Sequence, residues 1–393
     1  MKTNKKQARL VAFIAFIAAL GGFLQGFQSA AISGALPFYK TDFNLPVGSF
    51  LVGLSVSIIG LGAIAGNLMA GPLADKFGRK KSLIFAAVLY ALCALGAAIA
   101  HDIVMFIIAR IIGGIAIGVS ILVIPMYIAE IAPSEKRGFL VSFNQFLIVT
   151  GIFLAFFSNK IIVGLIDDSD IVWRWMLGVA FFPSILYFIL VFLIPESPRW
   201  LTLQDEHDKS KDILKKTIGE HNVEDEYKKI LLSIEESKKQ KKATFREVFS
   251  KSMKLVLFIG FGLAFFQQIT GINAVLFYAP MIFNLTGGVT SASISHAVYL
   301  GVINLVFTLL AMGYIDRFGR KPLLVIGATG ITISLFLAGI AFNNATYSIN
   351  NKSLENIQAE IHEMPVVKND SAQIMQGLAT LKGKTYNSEV KFF

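Results

Sequence analysis

Residues 71–80 read G-P-L-A-D-K-F-G-R-K, and residues 313–321 read G-Y-I-D-R-F-G-R-K. The shared D-[KR]-F-G-R-K recurs from Asp75 to Asp316, an offset of 241 residues. A basic loop that happens to contain glycine explains one copy but not two at equivalent places. The repeat therefore predicts two related helical bundles, each with a tight glycine turn between neighbouring helices. In each turn the aspartate can hold a basic residue against a helix end.

The regions around both copies are apolar on a scale that only a bilayer explains. The 393 residues are 54% hydrophobic and 16% charged, with a mean hydropathy of +0.64. A soluble domain carries about 25% charged residues, so this chain cannot cover a water-exposed surface. A single cysteine, Cys93, excludes a disulfide scaffold, and disorder and collagen fail on composition. A membrane-crossing helix needs about 20 mostly apolar residues. Nine stretches qualify: 10–36, 49–73, 82–100, 103–129, 139–159, 172–194, 254–284, 292–315 and 322–342. The first is too long for a cleaved signal peptide and is followed by further spans.

Basic residues set the expected orientation. The N-terminus, the 2–3, 4–5 and 8–9 loops and segment 199–254 hold 27 of the 36 Lys and Arg residues. The opposite loops before residue 343 hold only Lys40, Lys160 and Arg174. The N-terminus is thus expected in the cytoplasm. The net charge of +10 reads as a rim facing anionic lipid rather than a nucleic-acid footprint. Trp173 and Trp175 are expected in the outer interfacial belt and Trp200 in the inner one. Apolar clusters at Ile213, Leu214 and Ile218, and at Ile230, Leu231 and Ile234, predict short amphipathic helices joining spans 6 and 7. Four parts are expected: a six-span bundle over 1–194, a cytoplasmic helical linker over 195–252, a three-span partial bundle over 253–342, and an exterior polar segment over 343–393. Sequons occur at Asn284, Asn344 and Asn351.

Five motifs, one of them present twice, resemble the sugar porter family of the major facilitator superfamily. They are the two loop copies, A-R-I-I-G-G-I-A-I-G at 109–118, P-M-Y-I-A-E-I-A-P-S-E-K-R-G at 125–138, P-E-S-P-R-W-L at 195–201 and Q-Q-I-T-G-I-N-A-V-L-F-Y-A-P at 267–280. The resemblance runs from residue 10 to about 342. It implies an all-α membrane protein of the major facilitator fold, with nine predicted spans of an expected twelve. The chain is accordingly read as a C-terminally truncated form or a fragment.

Polar side chains at depth usually face a bundle interior or a water-filled path. At about 1.5 Å per residue, Gln145, Gln267, Gln268, Asn273 and Asn304 fall in the central zone. Neutral amides both donate and accept, as sugar hydroxyls do. The resemblance carries Gln145, Gln267, Gln268, Asn273, Tyr278 and Asn304 across as sugar contacts, with Phe277 as an added aromatic face. The bland alternative for any one amide is helix–helix bonding at about 0.6 kcal/mol. Gly271 and Asn273 also predict a local break in span 7.

Arg110 lies at depth and needs a partner. In proton-coupled members of the family that partner is a span 1 aspartate; here the matching run is Gly26-Phe27-Gln28-Ser29-Ala30, and Gln28 cannot titrate. Its amide oxygen is expected to accept a hydrogen bond from Arg110. The span 6 position at which some symporters carry a glutamate is Ala180. Asp75 with Arg79, Glu130 with Arg137, Glu196 with Arg199, and Asp316 with Arg320 are expected as a cytoplasmic latch, formed in one state and broken in another. His101 and His296 read as solvated residues near span ends.

The expected function is a monosaccharide carrier working by alternating access, by facilitated diffusion. A sugar–proton symporter and a sugar-binding sensor without transport stay open, as does an inactive gene product. No metal-ligand spacing, nucleophile elbow or nucleotide fingerprint points to an enzyme, and no cofactor is implied. The expected partners are a monosaccharide, the lipid bilayer and, under symport, protons. The chain is expected to be a monomer in the inner, cell membrane.

Overall fold

The structure is a computed structural model and describes residues 5–46, 49–133, 136–239, 249–250, 253–284, 290–344, 347–348 and 385–386. Nine helices in it are long and apolar enough to cross a membrane. They run Lys5–Asp42, Phe50–Phe77, Arg79–Ala98, Ile103–Ile131, Arg137–Leu165, Ser169–Val191, Lys254–Phe277, Ala292–Tyr314 and Lys321–Ala341. Each expected span is present, and several helices overrun the apolar stretch. Span 1 has 38 residues and continues through Pro37 to Asp42.

Two spans are interrupted. Span 6 is built from Ser169–Gly178 and Phe181–Val191. Pro183 has no N–H to return to the Val179 carbonyl, and Phe182 N–H bonds that carbonyl in a tighter turn at 3.3 Å instead. Span 7 breaks where the sequence predicts. Helix Lys254–Ile269 stops, Gly271 adopts φ 75°, and helices Ile272–Phe277 and Ala279–Asn284 follow. Only a residue without a Cβ takes that conformation without strain.

The chain forms two compact units, Met1–Tyr314 and Ile315–Phe393. In the first, spans 2 and 4 pack most closely. A Cβ on Gly62 or Gly66 would overlap the carbonyls of Ile111 and Ile115, and one on Gly114 or Gly118 those of Ile59 and Ala63. Two small-x-x-x-small faces therefore meet backbone to backbone. Span 1 approaches span 5 in the same way, through Gly26 and Gly151. Around these contacts lie two apolar clusters. One centres on Ile17, Leu24, Tyr90, Tyr127 and Tyr187; the other holds Tyr39, Phe106, Phe156 and Trp173 with Leu276, Ala279, Ile294 and Ala297 of spans 7 and 8.

Trp173 is a core residue rather than a belt residue. It is fully buried against Tyr39, Phe43 and Phe106. Its Nε1 donates to Asp42 at 3.1 Å, and the Arg174 guanidinium lies 4.3 Å from its ring centre. Trp175 is exposed.

The linker folds as Pro198–Leu203, His207–Ile218 and Val223–Lys239. Leu214, Ile218, Val223 and Tyr227 form its small core, with Ile230 and Leu231 against it. The second unit holds the end of helix Thr290–Phe318, helix Arg320–Asn343 and a two-residue antiparallel pair, Tyr347–Ser348 with Thr385–Tyr386. Most of the expected polar segment 343–393, with the sequon at Asn351, lies outside the described residues, as does 240–248 of the linker.

Candidate functional site

Arg110 is 1% exposed on span 4, in the heart of the first unit. Its Nη1 donates to the main-chain carbonyl of Gln28 at 2.9 Å. The expected bond to the Gln28 side chain does not form. The Gln28 amide turns away, and its Nε2 donates to the Tyr90 carbonyl at 2.8 Å. A helical carbonyl keeps a spare lone pair, and the Tyr90 carbonyl competes successfully for the amide hydrogens. Gln28 Oε1 and Arg110 Nε and Nη2 then have no partner among the described residues. A cavity of about 10 Å³ lies beside them, lined also by Cys93, Ala94 and Ala180. That is room for about one water. No carboxylate pairs with this guanidinium among the described residues, and the span 6 wall of the cavity is Leu177 and Ala180.

Of the expected sugar contacts, the structure joins two. Asn273 Nδ2 donates to Gln268 Oε1 at 3.0 Å across the break in span 7. Thr270 Oγ donates to the Gln267 carbonyl at 2.6 Å and secures the end of the preceding helix. Tyr278 and Phe277 are half-buried against the cluster containing Trp173. Gln145, Gln267, Gln268 and Asn273 are exposed and Asn304 is half-buried. The side chains of Gln145, Gln267 and Asn304 make no hydrogen bond among the described residues, so these three are not brought into contact with the bonded pair. Two buried amides escaped the sequence reading. Asn159 Nδ2 donates to the Ala31 carbonyl at 3.0 Å, and Asn144 lies beside Gly22. Asparagine inside an apolar span was the available signal.

The basic end of the bundle carries a second buried guanidinium. Arg79 grips Glu130 with two bonds, Nε to Oε2 at 2.9 Å and Nη2 to Oε1 at 3.0 Å. It also donates to the Ala74 carbonyl at 3.0 Å and reaches Asp75 at 3.4 Å. Glu196 accepts the main-chain N–H groups of Arg79, Lys80 and Ser197 at 2.9, 3.1 and 2.8 Å. The Asp75–Arg79 pair is therefore as expected, whereas Glu130 turns to Arg79 instead of Arg137, and Glu196 caps a helix start instead of pairing with Arg199. The reason is steric and electrostatic. Gly78 has φ 95° and no Cβ, and a Cβ there would overlap the Glu196 carboxylate. That carboxylate enters the N-terminus of span 3, where free N–H groups favour negative charge. Burial pushes the Glu196 carboxyl above its ordinary range, opposed by those N–H bonds and by the Arg79 charge. Trp200 is likewise a tether, with Nε1 donating to the Asp75 carbonyl at 2.9 Å. The side chains of Asp316 and Arg320 lie outside the described residues.

The comparisons with known proteins agree on one family. Residues 14–358 match the family described as Sugar (and other) transporter. A D-xylose transporter of Levilactobacillus brevis is 41% identical over 84% of this chain and 70% of its own. A glucose transport protein of Synechocystis is 38% identical over 86% and 73%. The D-xylose-proton symporter of Escherichia coli is 36% identical over 84% and 72%. Among solved structures, the partially occluded inward-open xylose transporter XylE of E. coli superposes with a TM-score of 0.76, at 35% identity over 85% of this chain and 79% of that one.

Proposed function

The chain belongs to the sugar transporter family, and on that premise we propose that it carries a monosaccharide by alternating access, down its gradient and without a proton. It is a multi-pass membrane transporter of the major facilitator fold and not an enzyme. The observation that carries the uncoupled reading is Arg110, buried with a carbonyl and an amide for neighbours where coupling needs a group that changes charge.

Gln268 and Asn273 are the leading sugar contacts. Their mutual bond at the span 7 break gives a donor–acceptor pair that can be exchanged for sugar hydroxyls. Gln145, Gln267, Tyr278 and Asn304 complete the proposed site. The network of Asp75, Arg79, Glu130 and Glu196 would latch the basic end, with Arg137, Arg199, Asp316 and Arg320 as further charges there. Residues 1–194 would act as one rocking bundle and 253–342 as part of the other, joined by linker 195–252, with 343–393 as an exterior polar segment. The distribution of Lys and Arg supports a cytoplasmic N-terminus in a cell membrane, and a monomer suffices for the mechanism.

Sugar–proton symport is the second reading, supported by the relatives whose names say so. Counterflow of labelled xylose and glucose in proteoliposomes of the full chain tests the carrier reading. Exchange of at least one sugar is expected. Saturable binding with no exchange would instead mark a sensor.

A further inference from the structure

A cavity of about 240 Å³ lies where the basic ends of spans 4 and 5 meet the linker helices. Its apolar wall includes Leu214 and Ile218 of one linker helix and Ile230 of the next. Four charged side chains line it: Glu130, Arg137, Arg199 and Glu226. The two carboxylates are already engaged, Glu130 by the two-bond grip of Arg79 and Glu226 by Lys229 at 3.0 Å. The two arginines are not: neither makes a hydrogen bond or ion pair among the described residues. The cavity therefore presents two surplus guanidinium groups beside an apolar wall.

We infer that this cavity binds a phosphate monoester. Two arginine forks match the charge and oxygen geometry of a phosphate dianion, where a single carboxylate would satisfy only one. The volume far exceeds the roughly 10–15 Å³ that one water needs, which leaves room for the esterified group against Leu214, Ile218 and Ile230. The cavity bridges a transmembrane bundle and the linker, so an occupant ties the two together. Two sources offer this chemistry, a soluble sugar phosphate and a phosphatidate headgroup from the bilayer. The inference is independent of the transport reading, because its test measures binding alone.

The test titrates the full chain in neutral detergent with glucose 6-phosphate, following intrinsic fluorescence or heat. A parallel arm compares thermal stability in vesicles of phosphatidylcholine with and without phosphatidic acid. Saturable binding in the first arm assigns the soluble source, and stabilisation by phosphatidic acid assigns the lipid. In the responding arm, Arg137→Gln and Arg199→Gln should each weaken the response about tenfold, while Lys228→Gln, on the exposed side of the same linker, should leave it unchanged. Glu226→Gln removes a negative charge from the cavity lining and should strengthen binding of an anion, which keeps the test decisive if an arginine variant fails to fold. Absence of a response in both arms, or equal affinity in the wild-type chain and the arginine variants, would overturn the inference.

Discussion

Arg79 and Arg110 are both buried, at 4% and 1% exposure, and the chain treats them in opposite ways. Around Arg79 it gathers Glu130, Asp75 and, through the adjoining backbone, Glu196. Around Arg110 it offers the Gln28 carbonyl and no carboxylate among the described residues. A buried charge with a well-bonded counter-ion is a fastener, and removing one partner strands the other. A buried charge without one is sustained by dipoles, here the Gln28 carbonyl. On the proposed reading, the difference separates two tasks of a transporter, holding an end closed and choosing whether to couple.

The contrast can be broken most forcefully at the fastener. Arg79→Gln strands Glu130 and should cost about 3–5 kcal/mol of stability, read by denaturation of the detergent-solubilised chain; a loss below about 1 kcal/mol would make the network ornamental. The neutral amide pair should show an intermediate effect. Gln268→Ala or Asn273→Ala should weaken sugar binding by about 1–3 kcal/mol, measured by equilibrium binding, and unchanged affinity in both would reassign the pair to helix packing. Glu196 predicts a pH effect. Its folded-state pKa lies above the unfolded value, so over that window the native state keeps a proton that the unfolded chain has released. Its contribution to stability is full below the ordinary carboxylate range and fades as pH rises through the folded-state pKa. Glu196→Gln should flatten that part of the stability–pH profile, and an identical slope in the variant would contradict it. The smallest effect belongs to Asp75→Asn. That carboxylate is 74% exposed at 3.4 Å from Arg79, and the loss should stay within about 1 kcal/mol.

What the sequence made legible follows from which forces act locally. The spans are set by composition, so all nine could be placed, and the break at Gly271 follows from a glycine beside a polar run. Pro183 carries the same kind of signal for span 6, but an apolar run on either side hides it. The spacing of Gly62 with Gly66, and of Gly114 with Gly118, marks two close-packing faces, yet only the fold pairs them. The ion pairs were least legible. Sequence neighbours suggested Glu130 with Arg137 and Glu196 with Arg199, whereas Glu196 reaches the backbone of Arg79, 117 residues away. Burial rewards the partner with the best geometry, and sequence distance has no part in that choice. Trp173 failed for a related reason: an indole suits an interface or a core equally well, and Asp42 and Arg174 decided for the core.

The central claim is that Arg110 faces a group that cannot titrate and that transport is therefore uncoupled. The most direct test places the full chain in weakly buffered proteoliposomes and follows external pH as sugar is added. The wild-type chain should move sugar with no accompanying proton, and Gln28→Asp should introduce a pH-dependent rate by setting a carboxylate beside Arg110. Sugar-dependent alkalinisation outside wild-type vesicles would contradict the account.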